Sequence, residues 1–331
     1  RSIGSEMHCL FTGGLARVQQ IAHQHKLGDR LLTYIRLMQT FALSPGSYGA
    51  QIWAVVAMDF REGMVSKQEI SYMQFLKKIL NVRSSAHNPS VLQECGVPPL
   101  KLYFWRMILR FYNRLCTHNS PLVREVLKAD TQAGASSRLF WSSHLLRALE
   151  NVDDSIGSRK LQEGVNVDIN NSLRKAQIFV IRSWLHNTSD FRSTRSVSPF
   201  YQEIVAGKPL RVGKTNLFRL PGAPYVSRYL SKHRRALLAC FRLRCAPLQF
   251  LLSVREGISS VLCKWCSRGI QDEFHVLLEC QSPQLCELRV RFAPLFQVHD
   301  LRSFYQQCPL RLSDLFKELF ALLCASGQMS G

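Results

Sequence analysis

The stretch CKWCSRGIQDEFHVLLEC, residues 263–280, places three cysteines and one histidine in the order Cys263-x2-Cys266-x8-His275-x4-Cys280. A Cys-x2-Cys pair can turn both sulfurs to one side of a tight loop, each about 2.3 Å from a zinc ion, and a later His and Cys complete a tetrahedron. Asp272 stands where it can cap a short helix that starts near Glu273. His275 then falls in the first turn and Cys280 just past the last, while Phe274, Leu277 and Leu278 form an apolar side that can dock elsewhere. Four protein ligands leave no open coordination position, so this reading gives one structural zinc ion and no zinc catalysis. Cys286 competes for the fourth position. The bland alternative is a set of unrelated thiols, with Cys263 or Cys280 buried as small hydrophobes. A redox CxxC would sit at a helix start within a thioredoxin-like alternation, which is absent.

Around this stretch lies a strongly basic chain. Its 331 residues carry 43 Lys plus Arg against 23 Asp plus Glu, a formal charge of +20 and a pI near 9.9. That imbalance favours polyanionic partners, RNA or DNA ahead of an acidic membrane surface. The 46% hydrophobic content supplies enough apolar side chains for packed cores and argues against a disordered polymer. Eleven scattered cysteines, with no N-terminal secretory signal, fit a reducing compartment, nucleus or cytoplasm. Charged or polar residues interrupt every apolar run before the ~20 residues a membrane span needs, so no membrane partner is expected. The chain begins at Arg1, not Met, as a piece of a longer protein would.

Apolar residues recur at helical steps through most of the sequence, which predicts a mostly α fold. Ile21, Leu27, Leu31, Ile35 and Met38 predict one amphipathic helix ahead of a turn at Ser44-Pro45-Gly46. In the segment Tyr48 to Met58, Ile52, Trp53, Val55 and Val56 read as buried. Ser66 and Glu69 form a capping box for a helix whose stripe is Ile70, Met73, Leu76 and Leu80. A helix follows Pro99 with Arg106, Arg110 and Arg114 on one face, read as a solvated basic stripe, and another runs from Leu139 to Val152. A polar connector from Asn151 divides the chain. Further helices are expected at Leu173 to His186, Val226 to Cys245 and Pro283 to Leu295.

Between Asn171 and Cys245 there are fifteen Lys or Arg and only two acids, Asp190 and Glu203. Arg219, Arg228, His233 and Arg234 interleave with Phe218, Tyr225 and Tyr229, a mixture in which rings can stack on bases while cations hold phosphates. GKPLRVGKT, residues 207–215, has five residues where a P-loop needs four and reads as a basic loop. The remaining histidines lack partners at a catalytic spacing, and Cys95 is assigned to packing.

Two stretches, YLSKHRRALLACFRLRCAPLQFLL and LCKWCSRGIQDEFHVLLECQSPQLCELR, together resemble the zinc-binding tail that follows the reverse transcriptase of non-LTR, LINE-type retrotransposons. The matching features are Arg234, Arg235, Arg242 and Arg244 in a basic helix, the Cys263 and Cys266 pair, Asp272 and Glu273, the His275 to Cys280 ending, and Leu288 with Arg289. Tyr48, Gly49, Trp53, Phe75, Lys78, Ile79, Leu80 and Gly96 are similar, at pattern level, to that family's thumb region. The resemblance spans about residues 15 to 295. It implies a thumb-like helical bundle over 1–150, a basic linker with helices over 151–224, a zinc-binding region over 225–300 with its CCHC knuckle packed among helices, and a C-terminal helix and tail over 301–331. It further implies a grip on template RNA or target DNA during target-primed reverse transcription, beside a polymerase palm that this sequence lacks. Arg228, Lys232, Arg234, Arg235, Arg242, Arg244, Lys264, Trp265 and Arg268 are the expected nucleic-acid contacts. The family's palm carries its aspartates in an apolar strand turn, whereas Asp153-Asp154 sits in a polar connector, so the chain as given is expected not to polymerise. Two other readings stand beside this one: a zinc-stabilised protein-interaction module, and a decayed remnant that does not fold stably alone.

Overall fold

The amphipathic spacings resolve into helices in a computed structural model that describes residues 3–58, 60, 65–84, 86–134, 140–152, 163–186, 223, 225–248, 260–299 and 301–325. In order these are α1 (Ile3–Gln24), α2 (Leu31–Met38), α3 (Ala50–Ala57), α4 (Lys67–Leu80), α5 (Asn88–Cys95), α6 (Leu100–Cys116), α7 (Pro121–Gly134), α8 (Trp141–Val152), α9 (Ile169–His186), α10 (Lys232–Arg242), α11 (Pro283–Arg291), α12 (Leu301–Tyr305) and α13 (Pro309–Ala325). Among the described residues there is no strand, only an isolated antiparallel bridge between Leu262 and Ile270.

Helix α6 is the axis of the N-terminal half, because its large apolar residues cover most of its circumference. Phe104, Trp105, Ile108, Leu109 and Tyr112 are all buried, and α3, α4, α7 and α9 pack around them. The Trp53 ring meets Phe104 edge-on at 5.2 Å, and the Trp105 Nε1–H donates to Ser172 Oγ on α9 at 3.1 Å. A buried indole thus keeps a hydrogen-bond partner, as its polar N–H requires. The capping box of α4 forms as expected. Glu69 N–H donates to Ser66 Oγ at 3.2 Å and Ser66 N–H donates to Glu69 Oε2 at 3.0 Å, so two orphan helix-end donors are satisfied.

Several local expectations need correction. The helix expected from Ile21 to Met38 is two helices, because Lys26 adopts a left-handed conformation (φ 50°) and a short 3-10 turn, Leu27–Asp29, intervenes. Ser44-Pro45-Gly46 is no free turn. It continues a π turn, Gln39–Leu43, as one further helical turn. Ile52 and Val56 on α3 and Ile70 on α4 face outward, whereas Trp53, Val55, Met73, Leu76 and Leu80 are buried. Helix α7 was not anticipated, since its sequence carries Asp, Thr and Gly in the second half, residues that stabilise a helix weakly on their own. The expected Val226 to Cys245 helix shortens to α10. Asp153-Asp154 with the rest of residues 153–162 of the polar connector, and the basic loop at 207–215, lie outside the described residues.

In the C-terminal half α10 lies along α13, with Phe241 stacked on Phe316 at 4.3 Å and 10°. Helix α10 also reaches back to the first half of the chain. Lys232 N–H donates to Asp29 Oδ1 at 2.7 Å, Arg235 donates to the Gly28 carbonyl at 2.6 Å, and Arg242 pairs with Glu94 at the end of α5. The buried apolar residues run without a gap from Phe11 to Leu323.

Candidate metal centre

A tight loop and a single π turn bring the four ligand candidates together. Cys263 N–H donates to the Gly269 carbonyl and Ser267 N–H to the Cys263 carbonyl, each at 2.7 Å, while Ser267 takes a left-handed φ of 56°. These bonds fold residues 263–269 into a knuckle with both cysteine sulfurs on one side. Asp272 then starts the helical turn as expected, its Oδ1 accepting from His275 N–H at 2.8 Å. The turn His275–Glu279 is π rather than α, closed by Cys280 N–H on the His275 carbonyl at 2.7 Å. The wider i→i+5 turn brings Cys280 nearer to the side of His275 than an α turn would, and π turns are frequent at functional sites.

The ligand atoms of Cys263, Cys266, His275 and Cys280 all lie within 4.8 Å of one another, and the group could hold a metal ion. Cys263 Sγ is 3.7 Å from Cys280 Sγ, and Cys266 Sγ is 3.2 Å from His275 Nε2. Nδ1 of His275 faces Glu279 Oε2 at 3.6 Å, so the ring presents Nε2 to the sulfurs and turns its other nitrogen to a carboxylate. At 3.6 Å that contact is electrostatic and too long for a hydrogen bond. Burial pushes the Cys263 thiol up to about 12. At Cys266 burial pushes the same way, but hydrogen bonds, first from the Arg268 backbone and then from His275, Cys280 and Cys263, bring the thiol down to about 7. Cys286 is not part of the group; its sulfur faces Gln281 and Arg289.

Two residues outside the ligand set shape the centre. A Cβ on Gly269 would stand 2.8 Å from both Cε1 and Nδ1 of His275, so only glycine lets the imidazole lie against the knuckle backbone. Arg289 donates to the carbonyls of Val276, Leu277 and Cys280, satisfying the end of the π turn from α11. Gly269 escaped the sequence reading, although a glycine three residues beyond a Cys-x2-Cys pair was a visible signal.

The expected nucleic-acid contacts divide into three groups. Arg228, Lys232, Lys264 and Arg268 are exposed, and Trp265 is half-buried against the core. Arg234 is half-buried and pairs with Asp314 on α13 at 2.8 Å. Arg235, Arg242 and Arg244 are 3%, 5% and 8% exposed, which corrects their assignment as phosphate contacts. Arg242 donates to Glu94 Oε1 at 2.5 Å and Oε2 at 3.3 Å and to the Tyr305 carbonyl at 2.8 Å. Burial opposes the charge of Arg242, but Glu94 outweighs it and holds the guanidinium above its ordinary value. Arg244 donates from Nε and Nη2 to Glu273 Oε2 at 2.9 and 2.8 Å. Its own left-handed conformation (φ 55°) ends α10, with Cys245 N–H returning to the Cys240 carbonyl, and that reversal aims the side chain at the metal knuckle. A buried charge needs a partner: Arg242 and Arg244 have carboxylates inside the protein, whereas Arg235 reaches only the Gly28 carbonyl and leaves Nε and Nη1 without a hydrogen-bond partner among the described residues. Arg244 therefore ties the knuckle to α10, and Arg242 ties α10 to α5.

Another basic residue, not anticipated, joins the exposed group. Arg30, from the break before α2, lies with its guanidinium 5.9 Å over the Tyr229 ring, and Tyr229 is 73% exposed. Sequence gave no sign of this pairing across two hundred residues. No described helix is long and apolar enough to cross a membrane. No protein-family model, no curated protein and no solved structure matches this chain.

Proposed function

We propose that this chain is a non-catalytic, zinc-stabilised nucleic-acid-binding segment of a LINE-type retrotransposon reverse transcriptase, with RNA or DNA and the parent's polymerase palm as its partners. The observation that carries the binding role is the exposed group of Arg30, Arg228, Tyr229 and Lys232. An open ring beside cations offers a base a stacking face and its phosphates counter-charge, in a chain of net charge +20. Lys264 and Arg268 extend the positive surface on the knuckle itself. The family reading rests on the motif resemblance, now with Arg235, Arg242 and Arg244 holding the fold together instead of the strand.

Zinc is the metal that the donors favour. Three thiolates and an imidazole suit zinc, and at a Zn–S length of about 2.3 Å a tetrahedron has an edge of about 3.8 Å. The Cys263 to Cys280 separation of 3.7 Å matches that edge. With four protein ligands the ion would supply folding energy and no chemistry; Cys263 and Cys266 would hold it from the knuckle and His275 and Cys280 from the π turn.

The test is fluorescence anisotropy of single-stranded RNA and duplex DNA with the purified chain at two salt concentrations. Affinity should fall steeply with salt as counterions are released. Tyr229→Ala should weaken single-strand binding by about 5- to 100-fold, the worth of one stacked base. Affinity no better than that of an unrelated protein of equal charge would end the binding role. Metal analysis of wild type against Cys263→Ser tests the ligand set, and undiminished zinc in the variant would refute it. A second reading, a protein-interaction module, is favoured by Tyr48, Ile52 and Val56, an outward apolar row at helical spacing on and beside α3.

A further inference from the structure

We infer that Lys77, in the groove that α4 shares with the segment leading into α5, is a covalent modification site whose amine captures a small aldehyde carrying an anionic group. This goes beyond the proposed nucleic-acid surface, since none of Arg30, Arg228, Tyr229 and Lys232 lines the groove. The groove holds about 530 Å³, within the range of small-molecule sites. Val65, Ile70, Met73 and Val82 give it apolar walls, Lys77 and Lys78 enter it together, and no carboxylate is among its described lining residues.

Geometry separates the two lysines. Lys77 is half-buried, and its Nζ donates to the Ser84 carbonyl at 2.5 Å, which holds the amine in place within the groove. Lys78 is exposed and donates to Gln19 Oε1 at 2.9 Å, a neutral partner. Burial brings the Lys77 amine down to about 8, so its neutral fraction at pH 7.5 exceeds that of an ordinary lysine on the order of a hundredfold. Only the neutral form has the lone pair that attacks a carbonyl carbon. Nζ adds to the aldehyde carbon, the carbonyl oxygen departs as water with both amine protons, and a C=N bond replaces C=O. On taking up one proton the imine regains a single N–H, for which the Ser84 carbonyl is the acceptor. The contact that positions the amine therefore also stabilises its product. The apolar walls receive the body of the aldehyde, and Lys78 supplies the counter-charge for its anionic group.

The experiment treats the full chain at pH 7.5 with 4-formylbenzoate or its neutral analogue 4-formylbenzamide. Borohydride then delivers hydride to the imine carbon and fixes the adduct, and mass spectrometry maps the labelled lysines. Each rate is normalised to that of Nα-acetyl-lysine with the same aldehyde. Lys77 should label at least about tenfold faster than exposed Lys67 or Lys128, because the weaker nucleophilicity of a less basic amine offsets its larger neutral fraction only in part. Lys77→Arg, which keeps a donor for Ser84, should lose the fast phase with an unchanged circular dichroism spectrum. The benzoate should react about twofold to fivefold faster than the benzamide, the worth of one exposed charge, and Lys78→Gln should erase that preference. Labelling spread evenly over the exposed lysines, or a fast phase that survives in Lys77→Arg, would overturn the inference. Equal normalised rates for the two aldehydes, or a preference untouched by Lys78→Gln, would overturn the anionic class of the ligand.

Discussion

Replacing Glu94 by Gln tests whether the family-signature arginine Arg242 acts inside the protein or on a strand. The substitution keeps the shape of the side chain and removes its charge, leaving the Arg242 guanidinium buried between the rings of Tyr225 and Tyr305 without its anion. Both members of the pair are under a tenth exposed, and Arg242 also holds the Tyr305 carbonyl ahead of α13. Removing one partner of such a buried pair costs about 3–5 kcal/mol, because the remaining charge stays desolvated. With an unfolding entropy of about 2.1 cal/mol/K per residue over 331 residues, that loss lowers Tm by about 4–7 °C. The assay is thermal and urea unfolding of metal-loaded protein followed by circular dichroism. The double variant Glu94→Gln with Arg242→Met should recover most of the loss, since a well-packed apolar replacement of a buried pair is often neutral. A loss under about 1 kcal/mol would refute the interlock. So would a fall in nucleic-acid affinity in Arg242→Met at a temperature where that variant remains folded.

Gly269→Ala should weaken metal binding by about tenfold or more, as a displaced ligand does, because the new methyl would stand 2.8 Å from the His275 ring; competition with a chromophoric chelator measures it, and an unchanged affinity would show that the ring can move aside. Glu279→Gln should change the same affinity by no more than about fivefold with the ligand set intact, because its exposed carboxylate stands 3.6 Å from His275 Nδ1, beyond hydrogen-bond reach. His87 provides a pH signature. Burial, and then Lys77, lower its pKa from 6.5 to about 4, so the folded protein keeps it neutral. The unfolded chain therefore binds the extra proton. The stability this neutral state contributes is fully present above about pH 6.5 and drains as pH falls towards 4, by about 3 kcal/mol at most. Urea midpoints across that window should fall less in His87→Gln than in wild type, and parallel profiles would contradict the assignment.

Helical class, the α4 capping box, the start of a short helical turn at Asp272 and all four ligand candidates were legible in the sequence, for one physical reason. Each depends on residues within about one or two turns of each other, where spacing alone sets geometry: Ser66 sees Glu69, Asp272 caps His275, and Cys263 and Cys266 share one loop. What the spacing could not convey is which neighbours arrive from far along the chain. Arg235, Arg242 and Arg244 look like any basic helix until Gly28, Glu94 and Glu273 are brought against them. Arg30 meets Tyr229 only because α10 packs against the start of the chain. The outward turn of Ile52 and Val56 was equally hidden, since an apolar residue carries no mark of whether a partner helix covers it. Sequence thus determined the four candidate ligands and the helical class, which rest on local spacing. Tertiary structure decided which cations are left for solvent and ligands, because a charge is free or spent according to the partner that folding places beside it.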